Sequence, residues 1–467
     1  MKQTITQTCY PLVPSQESMA TMLKYSIHKN VMQIPSSVTF KVKLDFSVLQ
    51  KAFEEEVKRN DCLRIRFLKE KDGWKQYFLD EVKAPRVPVL RFATEEEQEA
   101  YFAADAQRTV RIFNGETFRL RFFYDCKGGS GIYLNVSHLI MDAHAVAVFY
   151  LDLIQVYKAL VDGAELPEPL YSFEEQVNKD LDYLADEKKM KRDEDFYRDF
   201  WLKDGKPFHA SITGHDLLDK ARKKDPEERI PAAYDALHDK AAMAYKKIDP
   251  ETSEKIFKFC LEQKVSPETL FELGYRAHAS LGNYRTDDTF SLQLCSRRVT
   301  YKQKKMGGCM TQPLAVRAII PGTATFAEGL KTLDGVRNTL YRHMNYPYLT
   351  SYAMERKIYN LSMFQAPSFM MYTWLPLPLI EDEALRFDFK GYNMGRYCMP
   401  LYTFTYPDVT DHGIRFNYLY RIARISPAVI DTLHDNCVKA VLLGIDNPAL
   451  TMDEIMDQLV DVNTLAK

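Results

Sequence analysis

The sequence predicts an α/β protein. Three observations carry that reading. Helical and strand periodicities alternate over the first sixty residues, an apolar hairpin leads directly into a helical pattern near residue 140, and strand-like runs return between helical patterns after residue 289.

Taken in order, residues 16–29 and 46–59 carry apolar positions at helical spacing, while 37–45 alternates as a half-buried strand does. Runs 118–125 and 132–138, joined by the turn CKGGSG, read as a β-hairpin. A helix follows over 143–161, with apolar residues at 146, 149, 150, 153, 154 and 157, so His138 falls where a strand ends and a helix is about to begin. Between about 172 and 245 the chain turns to dense mixed charge, as in DEKKMKRDEDFYRDFWLKDGK, which predicts a solvated helical connector. The second half opens with two helices. The proline of VSPETL suits the first turn of the second one, with Ser266 as its N-cap. Strand-like runs at 289–296, 314–320, 367–375, 400–406 and 413–420 and closing helices near 426–444 and 451–465 complete the chain. This pattern divides it into 1–175 and 176–467, the connector opening the second part.

With 467 residues, 46% hydrophobic and 12% aromatic, the chain can bury a sizeable core. Its 62 basic residues against 64 acidic ones give a net charge of -2, no overall field for nucleic acid or an anionic membrane, and neither partner is expected. The eight cysteines lie far apart with no Cys-x-x-Cys pair, so reduced thiols and no metal site are expected. The N-terminus MKQTITQTCYPLVPSQ has no apolar core after a basic start, and no stretch reaches the ~18 uninterrupted apolar residues of a membrane span, which makes the cytoplasm the expected compartment.

Several segments, in order, carry a family resemblance. YPLVPSQESM (10–19), RNDCLRIRF (59–67), VSHLIMDAHA (136–145), LYSFEEQV (170–177) with FWLKD (200–204), SRRVTYKQKKMGGCMTQPLAVR (296–317) and MNYPYLTSY (344–352) fall where motifs of one family fall. The chain resembles the condensation domains of nonribosomal peptide synthetases, within the superfamily of chloramphenicol-acetyltransferase-like acyltransferases. The resemblance implies two lobes, each a mixed β-sheet flanked by helices, set in a V around a central tunnel. It implies that His138, matching the second histidine of the family's His-His-x-x-x-Asp-Gly motif, is the catalytic residue. Asp142 matches the family's aspartate. The arginine that pairs with it is matched best by Arg297, with Arg298 beside it as the alternative. Ser137 stands where the family has its first histidine, Ala143 where it has glycine, and Cys309-Met310-Thr311 where it has Val-Asn-Thr; Ala143, Met310 and Thr311 are expected along the substrate tunnel.

The residue types suit such chemistry. Acyl transfer from a thioester needs a neutral amine or hydroxyl beside the carbonyl, and an imidazole with a pKa near 6.5 can take or share its proton around neutral pH. Positioning of two substrates and backbone N–H groups facing the oxyanion, such as those where the 143–161 helix begins, would lower the rest of the barrier. Read without the resemblance, His138 is a satisfied polar residue at a strand end, Asp142 is an N-cap, and His144 is a packing or rim residue. The basic cluster SRRVTYKQKK is either a solvated loop or a landing site for the phosphates of coenzyme A or a carrier's pantetheine arm, and GGSG (128–131), lacking the Lys-Ser/Thr of a P-loop, is a hairpin turn. The expectation is a free-standing, monomeric acyltransferase with no permanent cofactor. It would take an acyl group from a carrier-protein phosphopantetheine thioester or acyl-coenzyme A to a small-molecule amine or alcohol. The rival readings are a catalytically silent docking platform for a carrier protein or tailoring enzyme, and an epimerase-like member that needs a further acid/base in the second lobe.

Overall fold

The computed structural model describes residues 7–233, 237–375 and 385–465; part of the N-terminal segment read above, residues 1–6, lies outside the described residues. Contacts group the chain into two compact units: Met1–Met190, Ser296–Gln312 and Leu377–Arg396 form the first, and Lys191–Cys295, Pro313–Pro376 and Tyr397–Lys467 the second. A single cut after residue 175 differs from this division for two reasons. The helix Phe173–Ala185 is anchored in the first unit through Asp61, whose carboxylate accepts hydrogen bonds from Ser172 Oγ (2.7 Å) and the N–H groups of Phe173 and Glu174 (both 3.1 Å). The chain also returns twice to that unit late in the sequence.

The first unit is built on a mixed five-stranded sheet in the order Phe387–Gly391, Gln33–Phe40, Ser130–Ser137, Phe118–Tyr124, Val89–Arg91. Only the last pairing is parallel. Ser130–Ser137 is buried along its whole length, because both faces of the sheet are covered. On one face Tyr133 stacks on Phe102 (4.3 Å between centroids, 1° between planes) inside a cluster with Phe92, Phe123 and Tyr392. On the other, reached by alternation along the strand, the hydroxyl of Tyr150 donates to the Ser36 carbonyl (3.0 Å). Tyr150 belongs to the helix Ala143–Asp162, which packs against the helix Phe46–Arg59; Arg59 grips Asp152 with two bonds of 2.9 Å. Among the described residues Ala143–Asp162 is the one helix long and apolar enough to cross a membrane, and in this unit its apolar stripe, including Phe149, Leu153 and Val156, is buried in the core. A second, antiparallel sheet joins Tyr10–Pro11, Gly73–Phe78 and Ile65–Glu70.

The second unit holds a six-stranded sheet in the order Gln312–Ile319, Asp288–Cys295, Met371–Trp374, Leu401–Pro407, Ile414–Arg421, Ala241–Ile248. Met371–Trp374 runs parallel to both neighbours and the following pairs are antiparallel, so this sheet is mixed as well. The helix Pro267–Leu281 starts as expected, with Ser266 Oγ accepting from the Thr269 N–H (3.1 Å). It packs tightly on Pro427–Asp446, where a Cβ on Gly274 would sit 2.7 Å from the Cys437 carbonyl oxygen. The connector is less solvated than its charge predicts. Its helix Glu187–Lys203 buries Tyr197 and Trp201, and the Trp201 indole N–H donates to Ser351 Oγ (3.2 Å). Two aromatics four positions apart suffice for a buried stripe among many charges. The closing 451–465 region is a short helix, Met452–Met456, and a 3-10 turn, Val462–Thr464, rather than one helix.

Candidate active site

His138 follows the fully buried central strand of the first unit, and its N–H donates to the Met32 carbonyl (2.9 Å) on the neighbouring strand's approach. The ring is only partly buried. Burial lowers its pKa below 6.5, against opposing effects from the Asp142 carboxylate and a hydrogen bond to its own backbone carbonyl. The imidazole is therefore neutral at pH 7. Nδ1 is the ring nitrogen able to fold back on its own carbonyl; it also lies 3.9 Å from the Cys309 Sγ. The tautomer with its proton on Nδ1, shared with that carbonyl, is the one that leaves Nε2 a free lone pair. Burial, with the Asp142 charge adding to it, pushes the Cys309 thiol well above its ordinary range, so the sulfur is a thiol and no nucleophile.

Asp142 is fully buried and holds the loop after His138 in shape. Oδ1 accepts from the Ala145 N–H (2.8 Å), the N-cap bond of the long helix, and Oδ2 accepts from the N–H groups of Met310 (2.9 Å) and Thr311 (3.1 Å) and from Thr311 Oγ1 (3.1 Å). Burial alone would raise this carboxyl's pKa; the Arg298 charge, with His144 and the N–H donors behind it, outweighs burial and keeps it below the usual range. The arginine expected to pair with Asp142, Arg297, does not do so. Arg298 pairs with it, at 3.2 and 3.3 Å, and also donates to the carbonyls of Gln303, Met306, Gly307 and Gly308. Arg297 adopts a left-handed backbone (φ 53°) that turns its guanidinium away, to Asp180 Oδ2 (2.6 Å), Ser15 Oγ (3.0 Å) and the Met310 carbonyl (2.8 Å). A left-handed turn at Arg297 decides which of the two neighbouring guanidinium groups faces Asp142, and sequence alone does not announce it.

The remaining predicted residues fall around this loop. Ser137 is buried, its hydroxyl accepting the Leu139 N–H (3.3 Å). Ala143 is the first residue of the helix, partly exposed, and not among the residues with positive φ, so the methyl group brings no backbone strain there. The N–H groups of Ala143 and His144 make no hydrogen bond among the described residues, two open donors at a helix N-terminus. Met310 and Thr311 are buried beside Asp142. His144 is partly exposed, its Nε2 3.0 Å from the Lys304 carbonyl.

Three supports were not singled out from sequence. Gln16 donates to the Leu139 carbonyl (2.9 Å) in the loop between His138 and Asp142. Asp180 anchors Arg297. Gly308, at φ 89°, leaves no room for a side chain: a Cβ would lie 2.0 Å from the Phe173 ring. The doubled glycine in KKMGGCM was the available signal for the last.

The profile of the Condensation domain family matches residues 6–456. The chain belongs to the condensation-domain family. Surfactin synthase subunit 1 of Bacillus subtilis is 22% identical to it over 354 residues, 73% of this chain but 9% of that protein, so this condensation domain spans a small part of the curated relative's length. The fold is that of solved condensation domains. A variant of the starter condensation domain of rhizomide synthetase in complex with C8-CoA superposes with a TM-score of 0.79 at 16% identity, covering 97% of this chain and 98% of that one. The X-domain in its complex with OxyB from teicoplanin biosynthesis superposes with a TM-score of 0.71 at 16% identity, covering 99% and 98%. Both lobes are thus mixed sheets flanked by helices, as expected.

Proposed function

We propose that this condensation domain is an acyltransferase that moves an acyl group from a thioester, on a carrier protein or coenzyme A, to an amine or hydroxyl. The observation that supports it is His138: a partly exposed, neutral imidazole on a loop fixed by the Asp142–Arg298 pair. In the proposed step the acceptor's nitrogen or oxygen attacks the thioester carbonyl while Nε2 takes its proton. The open N–H groups of Ala143 and His144 lie at the helix start where an oxyanion can be received. Collapse of the tetrahedral adduct breaks the C–S bond, and the imidazolium returns the proton to the departing thiolate. No enzyme-bound acyl group is needed.

A docking-platform reading draws support from Ser137 and Ala143, which depart from the family motif, and from the likeness to an X-domain found with OxyB. The test is a panel of acyl-coenzyme A and acyl-carrier thioesters with mixed amine and alcohol acceptors, read by product mass for wild type and His138→Ala. The acyltransferase reading expects conjugates from the wild type and a loss of about 10²–10⁴-fold in His138→Ala with hydroxyl acceptors, less with amines already neutral. Carrier binding without turnover from any donor favours the platform.

A further inference from the structure

The first unit contains a cavity of about 580 Å³, within the size range of small-ligand sites, that is separate from the His138 ring. It opens between the end of the helix Pro14–Tyr25, the hairpin Ile65–Glu70/Gly73–Phe78 and the loop 109–114. Its floor is apolar: Leu23, Met32, Val110 and Ile112 are all buried. Trp74 and Phe113 form a wall, packed edge to face at 4.8 Å.

The charges are one-sided. Four cations line the cavity and no carboxylate does. Lys29 is committed, its ammonium capping the helix on the carbonyls of Leu23 (2.7 Å) and Ser26 (2.6 Å). The other three have no ion pair within 4.0 Å among the described residues, though the Glu17 carboxylate acts on Lys24 at longer range. Lys24 lies over the Trp74 ring at 5.1 Å and Lys69 over Phe113 at 4.4 Å, and among the described residues the Arg111 guanidinium has no hydrogen-bond or ring partner. Ring faces attract a cation but do not neutralise it. At the floor Ser137 uses its oxygen to accept the Leu139 N–H, and among the described residues its O–H has no acceptor. A larger side chain at this lining position would take up floor space that the hydroxymethyl leaves open.

We infer that this cavity is a binding site, distinct from the reaction centre, for a small apolar acid: an alkyl or aryl body against Trp74, Phe113 and the floor, and a carboxylate among Lys24, Lys69 and Arg111. The inference is independent of what His138 does. It is tested on the full chain with decanoate, decanol and decylamine below their aggregation limits, by calorimetry and tryptophan fluorescence. Decanoate binds saturably, decanol about tenfold more weakly, and decylamine not measurably. The Lys69→Ala/Arg111→Ala double variant, both at exposed positions, weakens decanoate about tenfold and leaves decanol unchanged. Trp74→Ala weakens both, and Ser137→His, which fills the floor, does the same. Equal affinity for the three probes, no decanoate binding, or decanoate binding untouched by the double variant overturns the assignment. The last result would put decanoate elsewhere, the reaction centre included.

Discussion

At the scale of single residues, the site depends on which of two neighbouring arginines meets the buried carboxylate. Arg298→Ala leaves the Asp142 charge buried and uncompensated, which costs about 3–5 kcal/mol by denaturant titration. It also disturbs the His138 resonance followed by NMR. Arg297→Ala unpairs Asp180 instead, and the His138 titration stays as in the wild type. Because burial holds the His138 pKa below 6.5, the proposed acyl transfer persists to more acidic buffer than a free imidazole would allow and falls as this imidazole protonates, read from a pH–rate profile. Glu355 makes a different case. Its Oε1 is buried without a partner, and burial pushes its pKa up to about 8 against the charges of Arg317 and Arg356. The folded chain keeps this proton where the unfolded chain, at 4.5, has lost it, so stability falls as pH rises from 4.5 to 8. Glu355→Gln removes that slope and stabilises the protein by about 3 kcal/mol at pH 7, read from the shift in urea midpoint.

At the scale of elements, periodicity made most of the fold legible. The helix 46–59 and the hairpin leading to His138 were visible because each buries one face and alternates or repeats accordingly. Strands Gly73–Phe78 and Ala241–Ile248 were not, since GWKQYF and AAMAYKKI carry lysines and glutamine where a strand signal needs apolar alternation. For the site, His138 and Asp142 were legible through their motif, whereas the exchange of Arg297 for Arg298 depends on a left-handed backbone torsion at an arginine, which no side-chain pattern announces. The loop that carries Arg298's carbonyl partners turns on Gly308. Gly308→Ala, strained at φ 89° and driven into Phe173, destabilises the chain by several kcal/mol, on the order of 2–4, and lowers acyl transfer beyond what the lost stability explains, because Cys309 to Thr311 move with it. Activity measured well below the melting temperature separates the two effects.

At the scale of the whole molecule, the titratable groups predict where acid acts first. His209, His278 and His434 are all buried in the second unit, and burial pushes each down to about 4. Their unfolded pKa is 6.5, so between 6.5 and 4 the unfolded chain binds more protons and stability is lost as pH falls. At pH 5 the loss is about 2 kcal/mol for each. Trp201 and Trp374 belong to the second unit and Trp74 to the first. Acid unfolding followed in single-tryptophan variants therefore changes the Trp201 and Trp374 signals before that of Trp74.

The first unit's sheet takes its outer strand, Phe387–Gly391, from more than two hundred residues beyond the next latest strand of that sheet. During synthesis the hydrogen-bonding rim of Gln33–Phe40 thus waits, uncovered, until the ribosome has made most of the polypeptide. Nascent chains stalled before residue 387 should cling to chaperones or clump, and the full-length chain should not.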